Sequence, residues 1–354
     1  MAKVLMKGNE AIGAAAIRAG CKHFFGYPIT PQNEIPEYMA KELPKVGGVF
    51  VQAESEVAAI NMVYGAAGAG ARVMTSSSSP GIALKQEGIT YIAGAELPAV
   101  IVSISRGGPG LGGIQPSQAD YNQSTRGGGN GDYKVLVFAP ANLQEMVDYV
   151  QDAFDAADYY RNPVMVLGDG MIGQMMEPIE FREITSTRQL QPKTWATDGT
   201  KGKRAKNIIN SLALDPAELE KHNIKLQVKY NEMKEKEARY EMYNMEKPEV
   251  VLVAYGTTSR IVKNAILMLK EEGIEVGLIR PITLWPFPDK AFTEIPETCK
   301  HVMSIEMSMG QMIDDVRLAL NGKLPVGFFG RSGGMIPSPE EVVNAVKETI
   351  GGAK

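Results

Sequence analysis

The sequence predicts an α/β protein made of a large parallel-sheet domain and a smaller α/β domain. Two observations support this. From residue 9 to about 170, short apolar or β-branched runs alternate with Ala-rich amphipathic stretches, and the alternation resumes after Pro248. Between them, from about 180 to 247, the pattern changes to a polar loop followed by a charged helix. At 354 residues, 44% of them apolar, the chain is long enough to bury two cores. The expected division is a first domain over 1–190, a linker with a charged helix over 191–247, and a second domain over 248–354.

In order, strands are expected at His23–Gly26, Val49–Gln52, Val73–Ser76, Ala99–Ser105, Val135–Ala139 and Val164–Leu167. Helices at Glu56–Ala69, Ile82–Gly94 and Asn142–Tyr160 fill intervals between them, which predicts a parallel sheet covered on both faces. In the linker, Asp215 as N-cap, Pro216 at the first helical position and Glu218 three residues after the cap start a helix. Leu219, Leu226, Met233 and Tyr240 recur every seven residues and carry it to Pro248, where it ends. That stripe either docks on its own chain or serves as an arm for another subunit. The second domain is expected to contain strands at Val250–Tyr255, Glu275–Ile279 and His301–Ile305, with helices at Ile261–Glu272 and Met312–Leu320.

Composition narrows the function. A net charge of −4, with no basic cluster beyond Lys201–Lys206, argues against nucleic acid as a partner. Only Cys21 and Cys299 occur, so a four-thiolate cluster cannot be built from this chain. His23, His222 and His301 lie in unrelated segments and are expected to be structural, with no metal site. No apolar run approaches the ~20 residues of a membrane helix, and the start of the chain lacks a signal-peptide pattern, so a cytoplasmic protein is expected.

Ligands of open parallel sheets bind beyond the carboxyl ends of strands, so polar residues there are the candidates. Tyr27-Pro28-Ile29-Thr30-Pro31 places one hydroxyl between prolines, although Thr30 as an N-cap before Pro31 is a sufficient structural explanation. Gln52-Ala53-Glu54-Ser55-Glu56 opens a helix with two carboxylates, and the apolar residues after Glu56 would desolvate a carboxyl that shares a proton. Arg106 ends a strand and precedes a glycine run suited to close approach of a small carboxylic acid; otherwise it caps the strand or pairs with Asp120. Gly108, Gly110 and Gly113, with Asp132 downstream, satisfy a dinucleotide-binding spacing. That reading fails on context, because the run follows the fourth strand and leads to Pro116 instead of into a helix. The four serines from Ser76 to Ser79 read as a turn, as does Gly168-Asp169-Gly170.

Tyr27 to Pro31, Glu54-Ser55-Glu56 and strand-end Arg106, in this order and spacing, resemble the pyrimidine-binding domain of 2-oxoacid:ferredoxin oxidoreductases. Gly277 to Pro288 resembles the transketolase-C-terminal-like domain of the same subunits. The resemblance implies a thiamine-diphosphate-binding (pyrimidine-type) α/β domain plus a smaller transketolase-C-terminal-like domain. It also implies that Glu56 is catalytic, hydrogen-bonding the aminopyrimidine ring nitrogen and favouring its imino form. Tyr27, Pro28 and Ile29 join Glu56 in holding the cofactor, and Thr30 and Arg106 hold the 2-oxo acid.

Thiamine diphosphate is then shared with a diphosphate-binding beta-type subunit. Magnesium and iron–sulfur clusters lie on that subunit and on an iron–sulfur or gamma-type subunit, and electrons pass to ferredoxin as coenzyme A takes the acyl group. The stretch from Gly112 to Gln123 resembles members acting on 3-methyl-2-oxobutanoate, with 2-oxoglutarate or another 2-oxo acid as the alternative substrate. A non-catalytic assembly subunit is the remaining alternative. One departure is Ser77-Ser78-Ser79-Pro80-Gly81, where the family has Ser-Gly-Pro-Gly.

Overall fold

Apolar runs separated by helices form a parallel sheet in the computed structural model, which describes residues 3–182 and 188–351. The chain opens with β1 (Val4–Lys7) and α1 (Gly8–Arg18). Next come β2 (His23–Gly26), α2 (Glu34–Glu42), β3 (Val49–Gln52), α3 (Glu56–Gly68), β4 (Val73–Ser77), α4 (Ser79–Gly94) and β5 (Ala99–Ser105). A short α5 (Tyr121–Thr125), β6 (Leu136–Phe138), α6 (Leu143–Tyr160), β7 (Pro163–Asp169), α7 (Gly170–Gln174) and β8 (Met176–Ile179) complete the first unit. Strands lie in the order β6-β7-β5-β4-β2-β3, all parallel, while β8 pairs antiparallel with β1.

Period-two alternation sends side chains to opposite faces of this sheet. Met74, Val100, Val102, Val164 and Val166 pack into one core with α1, α2 and α6. Val73, Ala99, Ile101, Met165 and Leu167 pack into the other, against Ile60 and Val63 of α3 and Ile82 and Ile89 of α4. The expected two-sided parallel sheet is therefore present. The serines expected to form a turn do not: β4 runs to Ser77 and α4 starts at Ser79, three residues before the expected start, with all of Thr75–Ser79 buried.

After α8 (Pro216–Lys236), which packs on the first unit through His222 at the Gly94 carbonyl and Lys229 at Glu96, the second unit comprises β9 (Tyr240–Tyr243), β10 (Val250–Val253), α9 (Gly256–Glu271), β11 (Val276–Pro281) and β12 (Thr283–Trp285). It continues with β13 (His301–Glu306), α10 (Met312–Leu320), β14 (Val326–Gly330) and α11 (Pro339–Gly351). Its sheet runs β14-β13-β10-β11-β9, parallel except for β9 at the edge. β12 leaves this unit and adds antiparallel to β6 of the first sheet.

Asp215 caps α8 by accepting from the Ala217 amide at 2.8 Å, as expected. The expected continuation of that helix to Pro248 is incorrect. It stops at Lys236, where the buried Glu237 carboxylate is gripped by Arg188, Arg239 and the Tyr160 hydroxyl, and Tyr240–Tyr243 then extends along β11. Tyr240 is therefore a strand residue. The buried stripe of α8 is Leu226, Tyr230 and Met233, docked on its own chain, while Leu219 is exposed.

Residues 117–122 bind the second unit to the first. Buried Gln118 donates to the Tyr255 carbonyl at 2.9 Å and accepts from Thr258 Oγ1 and the Met307 amide. Tyr121 donates to Asp315 at 2.5 Å. Behind this seam the fully buried Glu306 accepts from Ser304, Ser308 and the amides of Gln311, Met312 and Ile313, which tie the start of α10 to β13. Glu306→Ala is expected to cost ~3 kcal/mol because it leaves buried donors unpaired. Chemical denaturation checks this, and a loss near zero would mean that water replaces the carboxylate.

Candidate active site

Four neighbouring strands, β5, β4, β2 and β3, point their carboxyl ends to one edge of the first sheet. Each strand end delivers one expected feature: Arg106 follows β5, Ser78 follows β4, Tyr27–Pro31 follows β2, and Glu56 follows β3 across a short connection. The sheet order thus brings together residues up to about 80 positions apart in sequence.

Arg106 is almost fully buried, and its guanidinium joins two loops, donating to the Thr30 carbonyl at 2.9 Å and the Leu111 carbonyl at 3.0 Å. Its Nε has no partner among the described residues. It does not pair with Asp120, whose carboxylate instead accepts from Ser79 Oγ at 2.5 Å. Burial holds the Asp120 carboxyl above the usual carboxylate range, against the opposing hydrogen bond from Ser79.

The glycine run closes on itself, with the Gly113 amide donating to the Gly107 carbonyl at 2.9 Å. Gly112 is required there: its φ is +61°, and a Cβ would lie 1.8 Å from the Gly107 oxygen. The run continues through the Arg106–Pro116 bridge and opens no helix, and Asp132 lies apart, in a groove along α8. The structure thus agrees with rejecting a dinucleotide fingerprint.

Thr30 is exposed and is not an N-cap. α2 begins at Glu34, preceded by Asn33, whose Nδ2 donates to Thr30 Oγ1 at 3.4 Å. Tyr27 and Pro28 are also exposed, on the rim, and Ile29 is partly buried. Their loop is anchored from below by the buried Gln32, which accepts from Ser76 Oγ at 2.5 Å.

Glu56 opens α3 just after Ser55, which caps the helix by accepting from the Ala58 amide at 3.1 Å. Unlike exposed Glu54, Glu56 is buried. It lies against the first turn of α4, where a Cβ on Gly81 would meet Ser77 Oγ at 2.1 Å and Glu56 Oε1 at 2.7 Å. The same turn reaches Arg106, whose backbone amide donates to Ser79 Oγ at 3.0 Å. Glu56 and Arg106 are thus linked through Ser79–Gly81, and Arg106 touches Thr30 directly. Ser77 and Ser78 contribute buried hydroxyls without partners among the described residues.

Asp169 sits at the end of β7 but is engaged in structure. It caps α7 through the Met171 and Ile172 amides and accepts from the Thr257 hydroxyl. Gly168-Asp169-Gly170 is a strand-end turn, as expected. Ser79 was read as part of a serine turn, and Gln32 and Gln118 were not singled out from the sequence, because their partners lie on other elements and no local pattern marks them.

The family described as pyruvate flavodoxin/ferredoxin oxidoreductase, thiamine diphosphate-binding, matches residues 14–248, well over half of the chain. The chain belongs to this family. The second unit matches the pyruvate:ferredoxin oxidoreductase core domain II over residues 248–342.

Among its oxidoreductase relatives, ketoisovalerate oxidoreductase subunit VorB of Methanothermobacter marburgensis is 50% identical, covering 99% of each chain. The 2-oxoglutarate synthase subunit KorA of Methanocaldococcus jannaschii is 37% identical, over 96% of this chain and 98% of its own. A solved 2-oxoglutarate:ferredoxin oxidoreductase from Magnetococcus marinus superposes with a TM-score of 0.89 at 30% identity. It matches 98% of this chain, which spans only 65% of that longer one. A split-gene transketolase shares the fold alone, with a TM-score of 0.61 at 17% identity. This oxidoreductase subunit therefore has the fold class and the family that its sequence led one to expect, and the ketoisovalerate enzymes match it better than the 2-oxoglutarate enzymes do.

Proposed function

We propose that this subunit holds the pyrimidine side of thiamine diphosphate in a complex that oxidatively decarboxylates 3-methyl-2-oxobutanoate to an acyl-coenzyme A and carbon dioxide, with ferredoxin taking the electrons. The observation that supports it most is the placement of Glu56: a buried carboxylate facing a glycine turn, with unpartnered hydroxyls beside it. This donor set fits a flat, nitrogen-bearing ring, which needs a dry acceptor and close backbone approach.

When bound, thiamine diphosphate supplies the nucleophile and electron sink for decarboxylation. Glu56 accepts the hydrogen bond of the pyrimidine ring nitrogen and holds the proton there. Tyr27, Pro28 and Ile29 form the rim on which the cofactor rests. Arg106, with Thr30, receives the carboxylate of the oxo acid, for which its unpartnered Nε is suited.

The remaining parts belong to partner subunits in this reading. The two cysteines are both buried and unpaired, so they offer no four-thiolate site, and among the described residues no three His, Cys, Asp or Glu side chains gather as metal ligands. Iron–sulfur clusters and the diphosphate-bound magnesium are assigned to a gamma-type and a beta-type subunit. No described helix is long and apolar enough to cross a membrane, which fits a cytoplasmic complex.

The identity of the oxo acid rests on the 50% identical relatives named for ketoisovalerate. One methylene changes selection by only ~1 to 3 kcal/mol, so substrates must be ranked by kcat/KM. The purified complex should reduce a viologen dye with coenzyme A and 3-methyl-2-oxobutanoate more efficiently than with 2-oxoglutarate or pyruvate. A higher value for 2-oxoglutarate would replace the substrate and leave the chemistry in place.

A further inference from the structure

Lys85 is a charged residue in the core that the function proposed above does not use. It lies on α4 with none of its surface exposed, and it donates to Thr75 Oγ1 at 3.2 Å. An ammonium carries three donors, so this position is costly unless a counter-charge is near. Gly81, Lys85 and Gly88 fall at i, i+4 and i+7, one stripe of α4. The glycines at either end let α3 close against that stripe: a Cβ on Gly81 would lie 2.7 Å from Glu56 Oε1, and one on Gly88 would lie 2.5 Å from Ile60 Cγ2. Glu56 and Ile60 are themselves one turn apart on α3. Lys85 therefore sits in the middle of the seam, with Thr75 of β4 beneath it, and the charge that reaches it, without a direct ion pair, is that of Glu56.

A well-packed methionine would fill such a core position without an ion to desolvate, and among the described residues no direct ion pair offsets the cost of burying this ammonium. The buried charge therefore calls for a reason beyond stability. We infer that Lys85 is a positioning residue for Glu56, its buried charge acting across the seam without a direct ion pair to keep the carboxylate beside the first turn of α4, where it receives the pyrimidine ring. This rests on the role proposed for Glu56.

Burial pulls the Lys85 ammonium down to about 8, opposed by the Glu56 charge. Below about pH 8 Lys85 is charged and attracts the Glu56 carboxylate; as pH rises through that value the cation is lost, and that attraction with it. Among the described residues, the charged group that acts on Lys85 is Glu56.

The test is thiamine diphosphate affinity of the assembled complex, measured by equilibrium dialysis from pH 6.5 to 9.5. The wild type should lose affinity by up to about tenfold per pH unit above 8. Lys85→Met should show at pH 7 the weak affinity that the wild type reaches at high pH, with no further alkaline loss. Lys85→Arg, which keeps its charge, should retain affinity past pH 9. A Lys85→Met complex with wild-type affinity and an unchanged pH profile overturns the proposal.

Glu56→Gln separates the two readings. If it leaves affinity and profile unchanged, the role of Glu56 fails; if it removes the alkaline loss while Lys85→Met does not, only the role of Lys85 fails. Should Lys85→Met not assemble, Lys85→Met combined with Glu56→Gln strands neither charge and should assemble. Failure of that double variant as well would make Lys85 a requirement of the fold and overturn the proposal.

Discussion

Replacing Glu56 with glutamine slows proton exchange at the thiazolium carbon of bound thiamine diphosphate by ~10² to 10⁴, the usual worth of a positioned acid–base group. The substitution keeps the shape of the side chain and removes only its charge and its capacity to hold the ring proton. Ser55 still caps α3, and Gly81 still meets a side chain of the same size. The complex should therefore assemble, and the loss should fall on the chemical step. Hydrogen–deuterium exchange of the cofactor, read by NMR after acid quench, measures it. Near-normal exchange would remove Glu56 from the site.

Arg106→Ala is expected to lower kcat/KM for the oxo acid by ~10²-fold or more, mostly through KM, with little change in KM for coenzyme A. Two losses combine. The substrate carboxylate loses its cation, and the carbonyls of Thr30 and Leu111 lose the donor that holds their loops together. Lysine should not restore function, because one ammonium cannot reproduce the planar fork that reaches both carbonyls. Equal effects on both KM values would show that Arg106 serves only to join the loops.

How far the sequence could be read depended on whether the signal was local. The strands around Val100 and Val164 and the helices from Glu56 and Asn142 were legible because each pattern repeats within a dozen residues. Thr75–Ser79 was not, since a strand end and first helical turn made of hydroxyls look like a loop, and the partners of Thr75, Ser76 and Ser79, which are Lys85, Gln32 and Asp120, come from elsewhere in the chain. The end of α8 was missed for the opposite reason. Tyr240 continues the seven-residue spacing, and the pull of β11 on that segment comes from forty residues downstream. β12, which adds to the first sheet from within the second unit, has no sequence signal that names its partner.

The site divides in the same way. Glu56 stood out because a carboxylate precedes an apolar run, and Arg106 because it ends a strand before glycines. That Arg106 reaches Thr30 follows from the strand order β5-β4-β2, which no single segment encodes. Lys85 did not stand out because a lysine in an amphipathic helix reads as surface; only the glycines a turn away on either side, in three dimensions, reveal that it is enclosed.

The central claim, that this chain provides the acceptor for the cofactor's pyrimidine ring, is tested most directly by an experimental structure of the assembled complex with thiamine diphosphate bound. The account predicts a Glu56 carboxylate oxygen at hydrogen-bond distance, ~2.7 to 3.2 Å, from the pyrimidine ring nitrogen. A ring seated wholly within a partner subunit, with Glu56 facing only Lys85, would contradict it.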